Sequence, residues 1–263
     1  MEHTSEHIED EIQTRVRLYD YSTGKQTFFQ WLAGILPACA DKDVLELGAG
    51  NGKIWRDLLA RWPGCNLTLT DISEEVLASA RAQLEPVADL TGGLTFEAVD
   101  FNRLPYQDQS FDIVLANHNL YYAQDVNRVI ADIHRVLRPG GMLICSTIGA
   151  DHLGELAMLL RQYHQDLPWG SERWADRFGL DNGAQLLMQA FAHVDQYEYD
   201  NNLHVNSVEP VIAYLMKTMK GLLAPWVREH LDVIRPALES RMSEKGYIRL
   251  TPHSGFFIAY KAE

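Results

Sequence analysis

The segment Glu46-Leu47-Gly48-Ala49-Gly50-Asn51-Gly52 constrains this chain more than any other. A short apolar run, Val44-Leu45-Glu46-Leu47, leads into it, and residues 53–62 read as a helix behind it. Glycines at alternate positions let the backbone turn sharply and approach a ligand closely. The free N–H groups at the following helix start favour an anionic group. Such a loop alone is also compatible with a plain strand-to-helix turn, so its surroundings carry the argument further. The next apolar run, Leu67-Thr68-Leu69-Thr70, ends in Asp71. That is roughly 20 residues beyond the loop, where a carboxylate can accept both hydroxyls of a ribose.

The loop opens a regular alternation. Strand candidates at 44–47, 67–71, 94–100, 111–116 and 142–147 alternate with helix candidates at 53–62, 73–85 and 124–137. Pro139-Gly140-Gly141 reads as a chain break before the fifth strand. This pattern predicts a parallel sheet covered on both faces, and the near-continuous apolar runs fit strands buried on both sides. Beyond residue 150 the alternation stops. Residues 152–165 and 183–192 read as helical, 194–205 as one partly exposed strand, and 255–261 as a final strand. Residues 207–245 read as helix with breaks at Pro225 and Pro236. Residues 8–37 also read as helical, interrupted at Asp20-Tyr21-Ser22-Thr23-Gly24.

Composition limits what the alternation can serve. The 263 residues are 46% hydrophobic and 22% charged, which excludes disordered, collagen-like and coiled-coil chains. A net charge of −13 repels phosphate backbones, so no nucleic-acid partner is expected. Cys39, Cys65 and Cys145 are far apart and form no CxxC pair, so neither a disulfide framework nor a metal site is expected. No apolar run approaches the roughly 20 residues of a membrane span. The acidic start MEHTSEHIEDEIQ has no apolar signal core, and the reading is a soluble cytoplasmic protein without a membrane partner.

The alternating-glycine loop with an acidic end to the second strand resembles the class I S-adenosylmethionine-dependent methyltransferases of the small-molecule type. Val99-Asp100-Phe101, Leu104-Pro105-Tyr106 and Ser110-Phe111-Asp112-Ile113-Val114 resemble that family around its third and fourth strands. Arg135-Val136-Leu137-Arg138-Pro139-Gly140-Gly141 resembles its turn into the fifth. The resemblance covers residues 44–147. It implies a doubly wound, Rossmann-like α/β fold whose seventh strand lies antiparallel between strands 5 and 6. It further implies an N-terminal helical cap over 1–37, a cofactor-binding core over 38–150, and a substrate-side part over 151–246. That part would hold strand 6 and a helical insertion, and 247–263 would supply the final strand.

The implied cofactor is S-adenosyl-L-methionine, with S-adenosyl-L-homocysteine as product. By the same resemblance, Glu46, Gly48, Ala49, Gly50 and Gly52 form the loop on its methionine side. Asp71 holds the ribose hydroxyls. Ile72 packs on the adenine or belongs to the core. Asp100 receives the adenine amino group or closes an Asx turn, with Phe101 beside the ring, and Asn117 lines the cofactor near the sulfonium. Tyr21 and Lys25 of the cap close over the methionine carboxylate, for which Lys25 or Arg17 is chemically suited. The alternative for them is an ordinary solvated helix.

Methyl transfer needs a base only when the acceptor must lose a proton. His118, just past the fourth strand, is the candidate base because its ordinary pKa is near neutral; it is otherwise a loop histidine bonded to a carbonyl. Tyr121 is a second catalytic candidate, and Tyr122 lines a pocket or packs. His152, His204 and His253 carry no local pattern. Trp169, Trp174, Tyr163, Met188, Tyr214, Met216, Met219 and Trp226 suit an apolar substrate pocket or a core beneath it. The resulting reading is methyl transfer to an oxygen or nitrogen of a small organic molecule. The alternatives are a cofactor-binding protein without catalysis, or a tRNA or protein methyltransferase. Lys53, where a dinucleotide fingerprint needs its third glycine, disfavours a nicotinamide enzyme.

Overall fold

A computed structural model describes residues 17–217 and 223–263. The readings over residues 8–16 and at Met219 lie outside the described residues. The chain divides into two compact units. One comprises Gln26–Gly149, Trp174–Tyr199 and Ser254–Glu263; the other comprises the chain before Gln26 with Ala150–Arg173 and Asp200–His253. The described strands are β1 (Asp43–Leu47), β2 (Asn66–Asp71), β3 (Gly93–Ala98), β4 (Phe111–Asn117), β5 (Leu137–Ile148), β6 (His193–Tyr199), β7 (Leu203–Val205), β8 (Ile248–Leu250) and β9 (Ser254–Tyr260).

The first unit is built on a seven-stranded sheet of order β3-β2-β1-β4-β5-β9-β6. β1 pairs parallel with β2 and β4, β2 with β3, and β4 with β5. β9 runs antiparallel between β5 and β6. The Rossmann-like α/β arrangement with its reversed last strand is the one the resemblance implies. The central strands are apolar on both faces. Leu45, Leu47, Val114 and Leu143 pack into one cluster, and Val44, Ile113, Leu115 and Ile144 into another. Side chains alternate across a strand, so burial on both faces forces a covering layer on each. The covering helices include α1 (Phe28–Ile35), α2 (Trp55–Leu58), α3 (Glu74–Leu84) and α4 (Val126–Val136). On α4, Val129, Ile130, Ile133 and Val136 are buried at helical spacing. Thr27, Ser73 and Asp125 cap α1, α3 and α4 by accepting a backbone N–H three residues on.

The second unit holds the antiparallel pair β7–β8, a 3-10 turn at Leu18–Tyr21, and the helices Gly154–Leu160, Glu209–Lys217, Leu223–Glu229 and Leu231–Lys245. Its own core includes Leu156, Leu160, Trp169, Val211, Leu215 and Leu238. Trp169 and Tyr214, read as pocket or core, are core; Met216 and Trp226 pack partly buried against it. Tyr163 is exposed, as is Met188 of the first unit.

The structure differs from the sequence reading at several elements. α1 belongs with the sheet unit rather than with the residues before Gln26. The reading of 194–205 as one strand is divided: β6 joins the large sheet, and β7 pairs with β8. Buried Asn201 sits between them and accepts hydrogen bonds from the Ser22 hydroxyl (2.9 Å) and the Gly24 N–H (3.1 Å). Pro139-Gly140-Gly141 does not break the chain but lies inside β5, where a register shift opposite Phe111/Ile113 absorbs it. Pro236 does not end a helix either; it lies within Leu231–Lys245. Pro236 and Asp232, four residues earlier, are both exposed, so the carbonyl left without its N–H donor is at the solvent-facing side of the helix.

Gly255 of β9 illustrates how tightly the sheet closes. A Cβ there would stand 2.2 Å from the Tyr197 carbonyl oxygen and 2.9 Å from Leu180 Cδ2. Backbone cannot yield cheaply, so Gly255→Ala is expected to destabilise by about 1–3 kcal/mol in urea unfolding. An unchanged midpoint would contradict this packing.

Candidate functional site

The loop after β1 makes its turn with left-handed glycines: φ is +60° at Gly48, +56° at Gly50 and +71° at Gly52. Side chains with a Cβ are strained there. Backbone bonds hold the turn. Ala49 N–H donates to the Thr70 carbonyl (2.7 Å), Gly52 N–H to the Ala49 carbonyl (3.0 Å), and Gly50 N–H to Asp71 Oδ2 (3.1 Å). A Cβ on Gly50 would meet nothing within 4 Å, whereas one on Gly48 would stand 2.6 Å from Asn119 Nδ2. Gly50 thus presents an open face while Gly48 is packed from behind.

Asp71 closes β2 beside this turn. Its Oδ1 accepts the Ser73 N–H at 3.1 Å and its Oδ2 the Gly50 N–H. A carboxylate offers about four lone-pair positions, so both oxygens keep capacity for a hydroxyl. Ile72 follows it and is 75% exposed, which removes the core alternative for that residue. Asp100 closes an Asx turn: its Oδ1 accepts the Asn102 N–H at 2.9 Å and the Asn102 side-chain amide at 2.7 Å. Phe101 is half-buried against the core cluster of the sheet.

Glu46, Asn117 and Ser146 lie on β1, β4 and β5 and are linked by hydrogen bonds. Glu46 accepts Trp55 Nε1–H at 2.5 Å and Asn117 Nδ2–H at 3.3 Å, and Ser146 Oγ–H donates to Asn117 Oδ1 at 3.1 Å. Glu46 is buried and both its donors are neutral. Burial pushes its carboxyl up to about 7, the nearby Asp71 charge adds to the rise, and the bonds from Trp55 and Asn117 hold it lower than burial alone would.

His118 follows Asn117 with φ +52°, and its N–H is shared between the Ser146 carbonyl and hydroxyl, each at 3.1 Å. Its ring centroid is 5.1 Å from that of Phe28. Tyr121 is buried in the core cluster, its ring 4.6 Å from Tyr122 and 5.9 Å from Trp174. Tyr21 and Lys25 belong to the other unit, Tyr21 partly buried in its core and Lys25 exposed. The residues from Glu46 to Gly52 therefore come together with Asp71, Asn117 and His118 in one unit. Sequence reasoning gave no role to Trp55, Ser146 or Asn119, which hold these groups in place. Among the described residues no group of three His, Cys, Asp or Glu side chains could hold a metal ion. No described helix is long and apolar enough to cross a membrane.

Residues 45–145 match the family described as "Methyltransferase domain". The chain is 28% identical over 208 residues to the malonyl-[acyl-carrier protein] O-methyltransferase of Pectobacterium atrosepticum, covering 78% of this chain and 73% of that one. It is 32% identical over 174 residues to the glycine/sarcosine/dimethylglycine N-methyltransferase of Actinopolyspora halophila, covering 62% of this chain and 30% of that one. In fold it is similar to phosphoethanolamine N-methyltransferase 2 of Haemonchus contortus, solved in complex with S-adenosyl-L-methionine. That likeness has a TM-score of 0.58 at 16% identity and covers 98% of this chain and 58% of that one. Residues 45–145 are thus similar to a methyltransferase domain, and the relatives support a class I S-adenosylmethionine-dependent methyltransferase with S-adenosyl-L-methionine as cofactor. The residues fit that molecule: an open face at Gly50, unused lone pairs on Asp71, an exposed apolar side chain at Ile72 and a buried amide oxygen of Asn119 without a partner.

Glu46 makes stability pH-dependent. Its folded carboxyl titrates at about 7 and its ordinary value is 4.5. The stabilisation from the protonated folded form is full below about pH 4.5 and is lost as pH rises through 7. Glu46→Gln removes this dependence, so the variant should gain roughly 3 kcal/mol on wild type across that window. Parallel unfolding curves for the two proteins at pH 4.5 and 7.5 would contradict the burial argument.

Proposed function

We propose that the chain transfers a methyl group from S-adenosyl-L-methionine to an oxygen or nitrogen of a small organic acceptor. The observation that carries this reading is the left-handed glycine turn held to Asp71 by the Gly50 N–H. It lies at the carboxyl edge of the parallel strands, where open α/β sheets bind ligands. The two relatives are named for O-methylation and N-methylation, which supports both acceptor atoms. A net charge of −13 favours a small molecule over a nucleic acid. The cysteines are free thiols, which suits the reducing cytoplasm.

Bound S-adenosyl-L-methionine supplies an electrophilic methyl group on a sulfonium. In this reading the protein supplies position. Gly48, Ala49, Gly50 and Gly52 hold the methionine side, and Glu46 lies beneath them. Asp71 takes the ribose hydroxyls, Ile72 covers the adenine, and Asp100 and Phe101 border it. Asn117 stands at the sulfonium side. Orientation and exclusion of water then lower the barrier without a covalent intermediate. His118 accepts a proton when the acceptor carries one, and Tyr121 supports that segment from within the core.

Methyl transfer from labelled cofactor to a panel of carboxylic acids, phenols and amines tests the activity. Transfer to none of them, with cofactor binding intact, favours the non-catalytic alternative. His118 has a second test because its left-handed backbone tolerates asparagine and glycine better than alanine. If the ring is a base, His118→Asn should lower kcat about 10²- to 10⁴-fold with cofactor affinity unchanged. Full turnover in that variant would assign His118 to the backbone turn alone. Asp71→Ala should weaken binding of S-adenosyl-L-homocysteine at least about tenfold by calorimetry, through loss of charged hydrogen bonds. Unchanged affinity would overturn the placement of the ribose.

A further inference from the structure

Asn119 is buried, and its side-chain amide is used on one side only. Nδ2–H donates to the Leu47 carbonyl at 2.5 Å, the last carbonyl before the left-handed Gly48. The same nitrogen stands 2.6 Å from where a Cβ on Gly48 would lie. Oδ1 is buried and has no hydrogen-bond partner among the described residues. Turning the amide over does not repair this, because it would set two carbonyl oxygens against each other. A buried amide oxygen without a donor is costly, and in a native protein it calls for a reason.

The chain directs Asn119 to this place. The left-handed φ of +52° at His118 turns the backbone at the end of β4, and the His118 N–H is anchored on Ser146. On the other side the Asn119 carbonyl accepts the Tyr122 N–H at 2.8 Å, starting the short 3-10 turn Leu120–Tyr122. The side chain is thus held from both ends against the Leu47–Gly48 peptide. Its amide group stands against Gly48, which the proposed function sets on the methionine side of the cofactor.

We propose that Asn119 is the residue that positions the amino-acid end of the cofactor. Its Nδ2 locks the Leu47–Gly48 peptide in the left-handed turn, and its Oδ1 is kept for the ammonium group that arrives with the ligand. An ammonium brings N–H donors and no acceptor, which is what a buried unpaired oxygen lacks. This rests on the placement of the methionine side at Gly48. It predicts discrimination between ligands that carry the amino acid and ligands that do not.

S-adenosyl-L-homocysteine and 5′-methylthioadenosine share the adenosine and the sulfur, but the second lacks the amino-acid end. Calorimetric titration of wild type, Asn119→Ala and Asn119→Ser with both ligands is the test. Both variants should lose at least about tenfold in affinity for S-adenosyl-L-homocysteine while affinity for 5′-methylthioadenosine stays within about threefold. The retained nucleoside affinity also shows that the variants are folded. Equal losses for both ligands, or no loss for either, would overturn the proposal. Failure of wild type to bind either ligand would instead overturn the placement of the cofactor. A second reading uses Gly48→Ala, whose clash with Nδ2 disappears when Asn119 is truncated. The loss it causes should be smaller in the Asn119→Ala background, and additive losses would contradict the packing of the amide on Gly48.

Discussion

The hydrogen bond from the Gly50 N–H to the Asp71 carboxylate joins the ends of two neighbouring parallel strands. Its geometry requires a left-handed backbone at Gly48, Gly50 and Gly52, which side chains with a Cβ adopt only under strain. The strands must also be in register, so that Asp71 ends β2 beside the loop that leaves β1. That register follows from two-sided burial: a shift by one residue would exchange the faces of Val44 and Leu45, each buried in a different cluster. The packing of the sheet and the shape of the site are therefore one constraint.

Behind the loop the polar groups satisfy one another in series. Trp55 and Asn117 serve Glu46, Ser146 serves Asn117, and the His118 N–H reaches Ser146. Such a network is strong when complete, and the same low polarity makes any unpaired member expensive. Two features of it remain poised: a carboxyl held at about 7 by burial, and an Asn119 oxygen without a donor. Glu46 lies two residues before Gly48, and the Asn119 side chain packs against that glycine.

The loop, its acidic neighbour and the sheet were legible because each is encoded locally. Alternating glycines directly behind an apolar run favour a turn, and short apolar runs alternating with helix patterns fit doubly buried strands. The groups that hold the loop were not legible for the opposite reason. Asn119 meets Leu47 across 72 residues and Ser146 meets Asn117 across 29, so no spacing within a segment announces them. Local breakers misled in the other direction. Pro139-Gly140-Gly141 is absorbed by a bulge in β5, and Pro236 by the exposed side of its helix. The division of 194–205 into β6 and β7 depends on Asn201 meeting Ser22 across 179 residues. Only the folded chain brings those together.

The claim on which the rest depends is that the Gly48–Gly52 turn receives the cofactor. Amide NMR of the protein titrated with S-adenosyl-L-homocysteine tests it most directly. The account predicts saturable shifts centred on the Gly48, Gly50 and Gly52 amides and on the Ile72 methyl groups. Saturable binding that leaves those signals in place and moves a different cluster would contradict it.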